Sequence, residues 1–145
     1  MNVRPASIED LPDLLRLYAE LQPDDPPLPM ERATEVWAAM AAQAGRTVLV
    51  ADVDGTLVGT VDCVLVPNLT RGGRSHLLVE NVVVAAAARR QRIGARLMDA
   101  AIGLATEAGC YKVQLLSRME RADAHAFYES YGFQRRAQGY RLYLP

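Results

Sequence analysis

ENVVVAAAARRQRIGARLM, Glu80 to Met98, is a β-branched strand, a short link of small residues and four arginines packed around the start of an amphipathic helix. The arginines are Arg89, Arg90, Arg92 and Arg96. A helix N-terminus already carries about half a positive charge from the aligned peptide dipoles, so cations are unfavourable there. No Asp or Glu lies between Val82 and Met98 to neutralise them. Unpaired amides, dipole and guanidinium forks together form an anion site, and phosphate satisfies all three. A solvated basic turn is the alternative for a charge run of this kind. The chain has no GxxxxGK[ST] and no GxGxxG, which removes the P-loop and the dinucleotide fingerprint. Gly94 and Ala95, small residues in the first turn, let a ligand come close to the backbone.

Outward from this stretch, the pattern predicts alternating helices and strands. Ser7 with Asp10 forms a capping-box pattern, and Leu11, Leu14, Leu15, Tyr18 and Leu21 recur at helical spacing, with Pro12 delaying regular bonding. Gln22 to Pro29 holds four prolines and two aspartates and is a loop; Met30 to Gln43 is a second helix containing Trp37. Thr47 to Val53 and Leu57 to Val66 form a hairpin through Asp54-Gly55, residues suited to a primed turn. Leu77 to Val84 follows Gly72-Gly73 and pairs antiparallel with the strand before it. The arginine-capped helix runs to about Glu107 with Ile93, Leu97, Ala101 and Leu104 on one face, and Lys112 to Leu116 is the next strand. Strand, helix, strand in succession implies a parallel pair and a right-handed crossover. A last helix, Ala122 to Tyr131, stops at Gly132, with Phe133 placed for the accompanying apolar contact. Phe133 to Arg136 and Tyr140 to Leu144 then form a closing hairpin through Gly139. The fold class is α+β, layered α/β/α: a mixed, mostly antiparallel sheet with helices on both faces and one crossover.

Composition sets the outer bounds. At 145 residues the chain suggests one domain, 1–145, large enough to bury roughly 70% of its unfolded surface. The formal net charge is −1, so the arginine cluster is local, which argues against nucleic-acid binding through bulk electrostatics. Cys63 and Cys110 have no CxxC spacing and read as reduced structural thiols. The N-terminus carries no basic-then-apolar leader and no run approaches a membrane span, so a cytoplasmic location is expected and the sequon at Asn68-Leu69-Thr70 carries no meaning.

The residues from Arg89 to Gly94 resemble the signature of the GNAT superfamily of acyl-CoA-dependent N-acetyltransferases: Arg or Gln, two residues, Gly, one residue, then Gly or Ala, after a strand and opening a helix. Two further stretches are similar to the same family. VRPASIEDLPDLLRLYAEL, from Val3, looks like its first strand and helix, and AHAFYESYGF, from Ala124 to Phe133, like its last helix and following strand. Arg92 stands where the family usually has its first glycine, and a right-handed helical conformation would tolerate it. The strand VENVVV also resembles that of glucosamine-phosphate N-acetyltransferases.

The resemblance implies acetyl-CoA as co-substrate, with no metal. Its diphosphate would be held at Arg89, Arg90, Gln91, Arg92, Ile93, Gly94 and Ala95, and its pantetheine would bond the backbone of Val82 and Val84. The reaction is attack of an amine on a thioester, which needs a neutral amine, a positioned carbonyl, an oxyanion donor and a proton for the thiolate. By resemblance the amide near Val82 is the oxyanion donor and Tyr128 the acid. A phenol of pKa about 10 can protonate a thiolate whose acid has pKa about 8.5 only slightly uphill. Glu80 is the candidate base, through water; Asn81 or a backbone carbonyl are alternatives.

Each assignment has a structural reading beside it. Tyr128 also belongs to the core stripe Ala124, Phe127, Tyr128, Tyr131, and Glu80 to the outward face of an alternating strand. His76 and His125 read as structural or exposed. Asp24 and Asp25 could recognise an acceptor ammonium, and Arg71 and Arg74 an acceptor phosphate or carboxylate, although charges of this kind are more often solvated loop residues. The acceptor is expected to be a small amine, with protein amines as the alternative class. A non-catalytic acyl-CoA-binding regulatory module is the competing function, motivated by Arg92 and by Arg121, which stands where many relatives carry a pantetheine-contacting asparagine. The resemblance also leaves a homodimer open.

Overall fold

Asp54 and Gly55, both at positive φ (51° and 84°), close a primed turn that joins β2 (Arg46–Val53) to β3 (Thr56–Val66). The computed structural model describes all residues from Met1 to Pro145. They form two compact units, Met1–Gln114 and Leu115–Pro145. Around the hairpin, β1 (Asn2–Pro5) pairs antiparallel with β2, and β4 (His76–Val84) pairs antiparallel with β3. β5 (Val113–Leu115) completes a sheet of order β1-β2-β3-β4-β5. The Tyr111 amide donates to the Ser75 carbonyl and the Leu77 amide to the Lys112 carbonyl, each at 3.0 Å. Residue numbers rise together on both strands, so β5 enters parallel to β4, as the crossover required. The sheet is mixed and mostly antiparallel.

Helix α1 (Leu11–Leu21) begins as the local sequence dictates. The Ser7 amide donates to the Asp10 carboxylate at 2.8 Å, a 3-10 turn covers Ile8–Asp10, and Pro12 occupies the first α-turn, where its missing N–H costs nothing. Leu14 and Leu17 are fully buried beneath it, against β3 and β4. Helix α2 (Met30–Ala42) packs on α1 and β2.

Helix α3 (Ile93–Glu107) covers the other face of the sheet, burying Ile93, Leu97, Met98 and Ala101; Leu104 is half-buried. Alternation along β3 separates the faces. Gly59 lies under α3, where an added Cβ would meet Leu97 Cδ1 at 3.0 Å and Ile93 Cγ2 at 3.1 Å. Thr60 and Asp62 lie instead under α1, beside Tyr18. No helix is long and apolar enough to cross a membrane.

In the second unit, α4 (Ala122–Ser130) ends in a Schellman motif. Gly132, at φ 90°, donates to the Glu129 carbonyl at 3.0 Å, and Phe133 donates to the Tyr128 carbonyl at 3.2 Å. The Tyr128 and Phe133 rings meet edge to face at 5.9 Å, the apolar contact expected from the sequence.

The closing hairpin is not formed. Residues 133–145 contain neither strand nor helix, and Tyr140, Leu142, Tyr143 and Leu144 are exposed. The two short segments, Phe133–Arg136 and Tyr140–Leu144, form no ladder of their own strong enough to persist in water. Their side chains bond locally instead, Arg135 to Glu129 and Arg136 to Gln134.

Gly59→Ala tests the seating of α3. The methyl group must displace Leu97 and Ile93 or the Val83 carbonyl, so thermal unfolding should show a loss of about 1–3 kcal/mol. An unchanged melting temperature would show that α3 is not held this closely.

Candidate functional site

β4 carries a bulge at its centre. Thr60 on β3 pairs with Val83 and Asp62 with Glu80, so Val61 alone opposes both Asn81 and Val82. Asn81 absorbs the extra residue at φ 48°, a left-handed conformation that Asn tolerates better than most residues. The backbone of Asn81 and Val82 is thereby released from the β3 ladder. β5 is three residues long against nine in β4, and the bonds joining them start at Ser75 and Leu77. The outer edge of β4 at Val82 and Val84 therefore lies past the parallel ladder, with main-chain groups to offer a ligand.

From Val84 the chain passes directly into the arginine turn. The Ala85 amide donates to the Val58 carbonyl at 2.9 Å, and a 3-10 turn at Ala86–Ala88 follows. The Glu20 carboxylate at the end of α1 accepts from the Ala86 amide at 2.8 Å, tying the link to that helix. Arg90 and Arg92 then both adopt left-handed conformations, at φ 66° and 60°. The first intrahelical bond of α3 runs from the Arg96 amide to the Arg92 carbonyl at 3.1 Å, which leaves the amides of Ile93 and Gly94 outside the helix ladder. Left-handed residues among right-handed ones fold successive N–H groups to one side, a concavity suited to anions.

A cavity of about 590 Å³ opens at this turn, lined by Gln91, Arg92, Ile93, Ala95, Arg96 and Asp99, with Met1 and Val53. Its volume falls in the range of small-molecule sites. None of Arg89, Arg90, Arg92 and Arg96 forms an ion pair. No carboxylate closes on any of the four, although Asp99 lines the same cavity. Arg92 is not right-handed helical as the sequence suggested. It occupies the conformation that a glycine would supply freely and an L-residue adopts at a cost of roughly 1–2 kcal/mol.

Glu80 is exposed and sits in register with Asp62, whose side chain is completely buried. Arg46 grips Asp62 with two bonds, Nε to Oδ1 at 3.1 Å and Nη2 to Oδ2 at 2.5 Å. Above them the Tyr18 hydroxyl is buried without a hydrogen-bond partner, and burial pushes its pKa up to about 12. This group of Tyr18, Arg46 and Asp62 was missed in the sequence. Its one signal is Asp62 itself, an acid inside the apolar run Val61–Val66.

The other candidates divide plainly. Glu80, Val82, Val84 and residues 89–95 form one continuous strand-to-helix segment of the first unit. Tyr128 belongs to the second unit, where it is buried on α4 against Phe127 and Phe133; burial raises its pKa, so it is protonated throughout the neutral range. His125 bonds the Arg118 carbonyl through Nε2 at 2.7 Å, and the His76 ring stands edge-on to Tyr111. Arg74 donates to the carbonyls of Gly109 and Cys110, and Arg71 stacks over the Tyr111 ring, so both brace a loop. Asp24 and Asp25 are exposed. Burial pushes the Cys63 thiol up to about 12 and raises that of Cys110, so neither is an activated nucleophile.

Comparison with known proteins bears on the fold and the family. The model of the acetyltransferase (GNAT) family matches residues 11–133. A glucosamine 6-phosphate N-acetyltransferase from Trypanosoma brucei brucei is 31% identical over 99% of this chain and 96% of its own length. Among solved structures, a protein from Agrobacterium tumefaciens str. C58 described as an acetyltransferase superposes with a TM-score of 0.96 at 42% identity, covering 99% of this chain and 100% of the other. A transcriptional regulator from Bacillus halodurans C-125 superposes with a TM-score of 0.89 at 29% identity, covering 99% of each chain.

Arg92→Gly tests the strain at the arginine turn. Glycine removes the left-handed penalty, so stability without ligand should rise by about 1 kcal/mol in thermal unfolding, whereas Arg92→Ala should bring no such gain. Equal melting temperatures for the two variants would contradict a strained turn.

Proposed function

The chain belongs to the GNAT acetyltransferase family, and on that premise we propose that it transfers acetyl from acetyl-CoA to the primary amine of a small-molecule acceptor, by direct attack in a ternary complex. Family membership makes it an acetyl-CoA-dependent N-acetyltransferase. Residues 1–145 act as a single N-acetyltransferase domain.

One observation carries the reading. A strand whose backbone is released by a bulge runs straight into a turn of unpaired arginines and unladdered amides at a helix N-terminus. This is a cradle for the diphosphate of coenzyme A at residues 89–95, continuous with main-chain partners for pantetheine at Val82 and Val84. Anchoring of this kind can be worth about 7–11 kcal/mol of the barrier, more than any one acid or base supplies.

The chemistry then follows from the chain's own groups. The acceptor amine attacks the thioester carbonyl carbon, and the negative charge on its oxygen is met by the amide near Val82. Glu80 takes the ammonium proton through water. As the C–S bond breaks, Tyr128 gives its proton to the thiolate, and solvent restores it. The role of Tyr128 rests on the match of Ala124–Phe133 to the family's last helix, and its protonation across the neutral range suits a proton donor.

An amino sugar phosphate is the first acceptor to try, because a relative 31% identical over almost the whole chain acetylates glucosamine 6-phosphate. The competing reading is an acyl-CoA-binding regulatory module, favoured by the arginine in the glycine's place and by the likeness to the Bacillus halodurans regulator.

Thiol release from acetyl-CoA across an amine panel separates the two. Turnover that falls about 10²- to 10⁴-fold in Tyr128→Phe, with acetyl-CoA affinity kept, is the expected result. Binding of acetyl-CoA without thiol release from any amine would establish the module.

A further inference from the structure

The ion pair beside Glu80 is not explained by stability. Asp62 and Glu80 face each other directly across β3 and β4, on the side of the sheet covered by α1. Side chains opposed in this way stand about 4.5–5.5 Å apart at Cβ. Like charges on opposed side chains disfavour each other's charged form. Arg46 prevents this. Its guanidinium closes on both oxygens of Asp62 and is steadied from the other side by Gln43, which accepts from Nη1 at 3.1 Å. Asp62 raises the pKa of Arg46 most, and Glu80 raises it too, so the guanidinium senses both carboxylates. A buried ion pair seldom outperforms an apolar pair of the same volume in stability, so fold alone gives little reason to keep it here.

We propose that Arg46 is a positioning residue for the reaction: by closing Asp62 into an ion pair, it leaves Glu80 as the unpaired carboxylate on this face, charged and open to the acceptor's proton. The inference rests on Glu80 being the base of the proposed function. The charged and titratable groups facing Glu80 are Asp62 from β3 and Arg46 from β2, with Tyr18 from α1 standing against those two. In the proton transfer the ammonium N–H bond breaks, a carboxylic O–H bond forms on Glu80, and solvent later takes the proton.

Two substitutions push Glu80 in opposite directions. Arg46→Gln leaves two facing carboxylates, and Asp62→Asn leaves Glu80 facing a free guanidinium. The 145-residue chain with glutamates labelled at the carboxyl carbon is titrated by NMR, with Glu80→Gln identifying the resonance. The pH dependence of kcat/KM with acetyl-CoA and glucosamine 6-phosphate is measured in parallel. The Glu80 midpoint should move to higher pH by about one unit in Arg46→Gln and to lower pH in Asp62→Asn. The acidic limb of kcat/KM should follow in the same two directions. The double variant should return towards the parent. If Arg46→Gln does not fold, the downward shift in Asp62→Asn decides the matter. Unmoved midpoints, or shifts of the same sign, would overturn the role of Arg46. An acidic limb that survives unchanged in Glu80→Gln would instead remove Glu80 as the base, and this inference with it.

Discussion

Concentrated positive charge at the positive end of a helix is the constraint on which the rest of this molecule turns. Arg89, Arg90, Arg92 and Arg96 surround the first turn of α3 with no acid paired to them, and two of the four sit in left-handed conformations that an L-residue adopts only at a cost. Repulsion and strain in one short turn mark a site shaped for something other than stability. A bound diphosphate relieves the repulsion, because its oxygens accept both from the guanidinium groups and from the amides that the helix leaves unused.

The core holds that turn in place from both sides. Gly59 lets α3 approach β3 to the limit of contact, which fixes Ile93 and hence the amides of the helix start. Glu20 clasps the Ala86 amide from α1 on the opposite face. Between the two, the bulge at Asn81 interrupts pairing at the point where the proposed mechanism calls for a free amide and, beside it, a carboxylate. The proposed cofactor grip, oxyanion donor and proton acceptor thus follow one another along about fifteen residues of chain, and their spacing is set by the covalent backbone.

Much of this is legible in the sequence. The alternation of β2 and β3 around Asp54-Gly55, the capping box at Ser7, the glycine stop of α4 and the arginine turn are local signals, written in neighbouring residues. What was not legible depends on partners distant in sequence. The bulge is a property of two strands in register, and neither Asn81 nor Val61 announces it. Arg46 and Asp62 are sixteen residues apart and meet only across a hairpin. The left-handed state of Arg92 was misread because the residue type argues against it, and the turn imposes it regardless. The closing hairpin failed for the complementary reason. The apolar pattern of Tyr140–Leu144 was real, but a strand needs a neighbour to bond, and pattern alone does not supply one.

Titration calorimetry of coenzyme A against pantetheine, which lacks the diphosphate and nucleotide, tests the central claim most directly. The account predicts binding of coenzyme A that weakens as salt rises and is lost for pantetheine, because the grip lies in the arginine turn. Equal affinity for the two compounds, or no heat with coenzyme A, would contradict it.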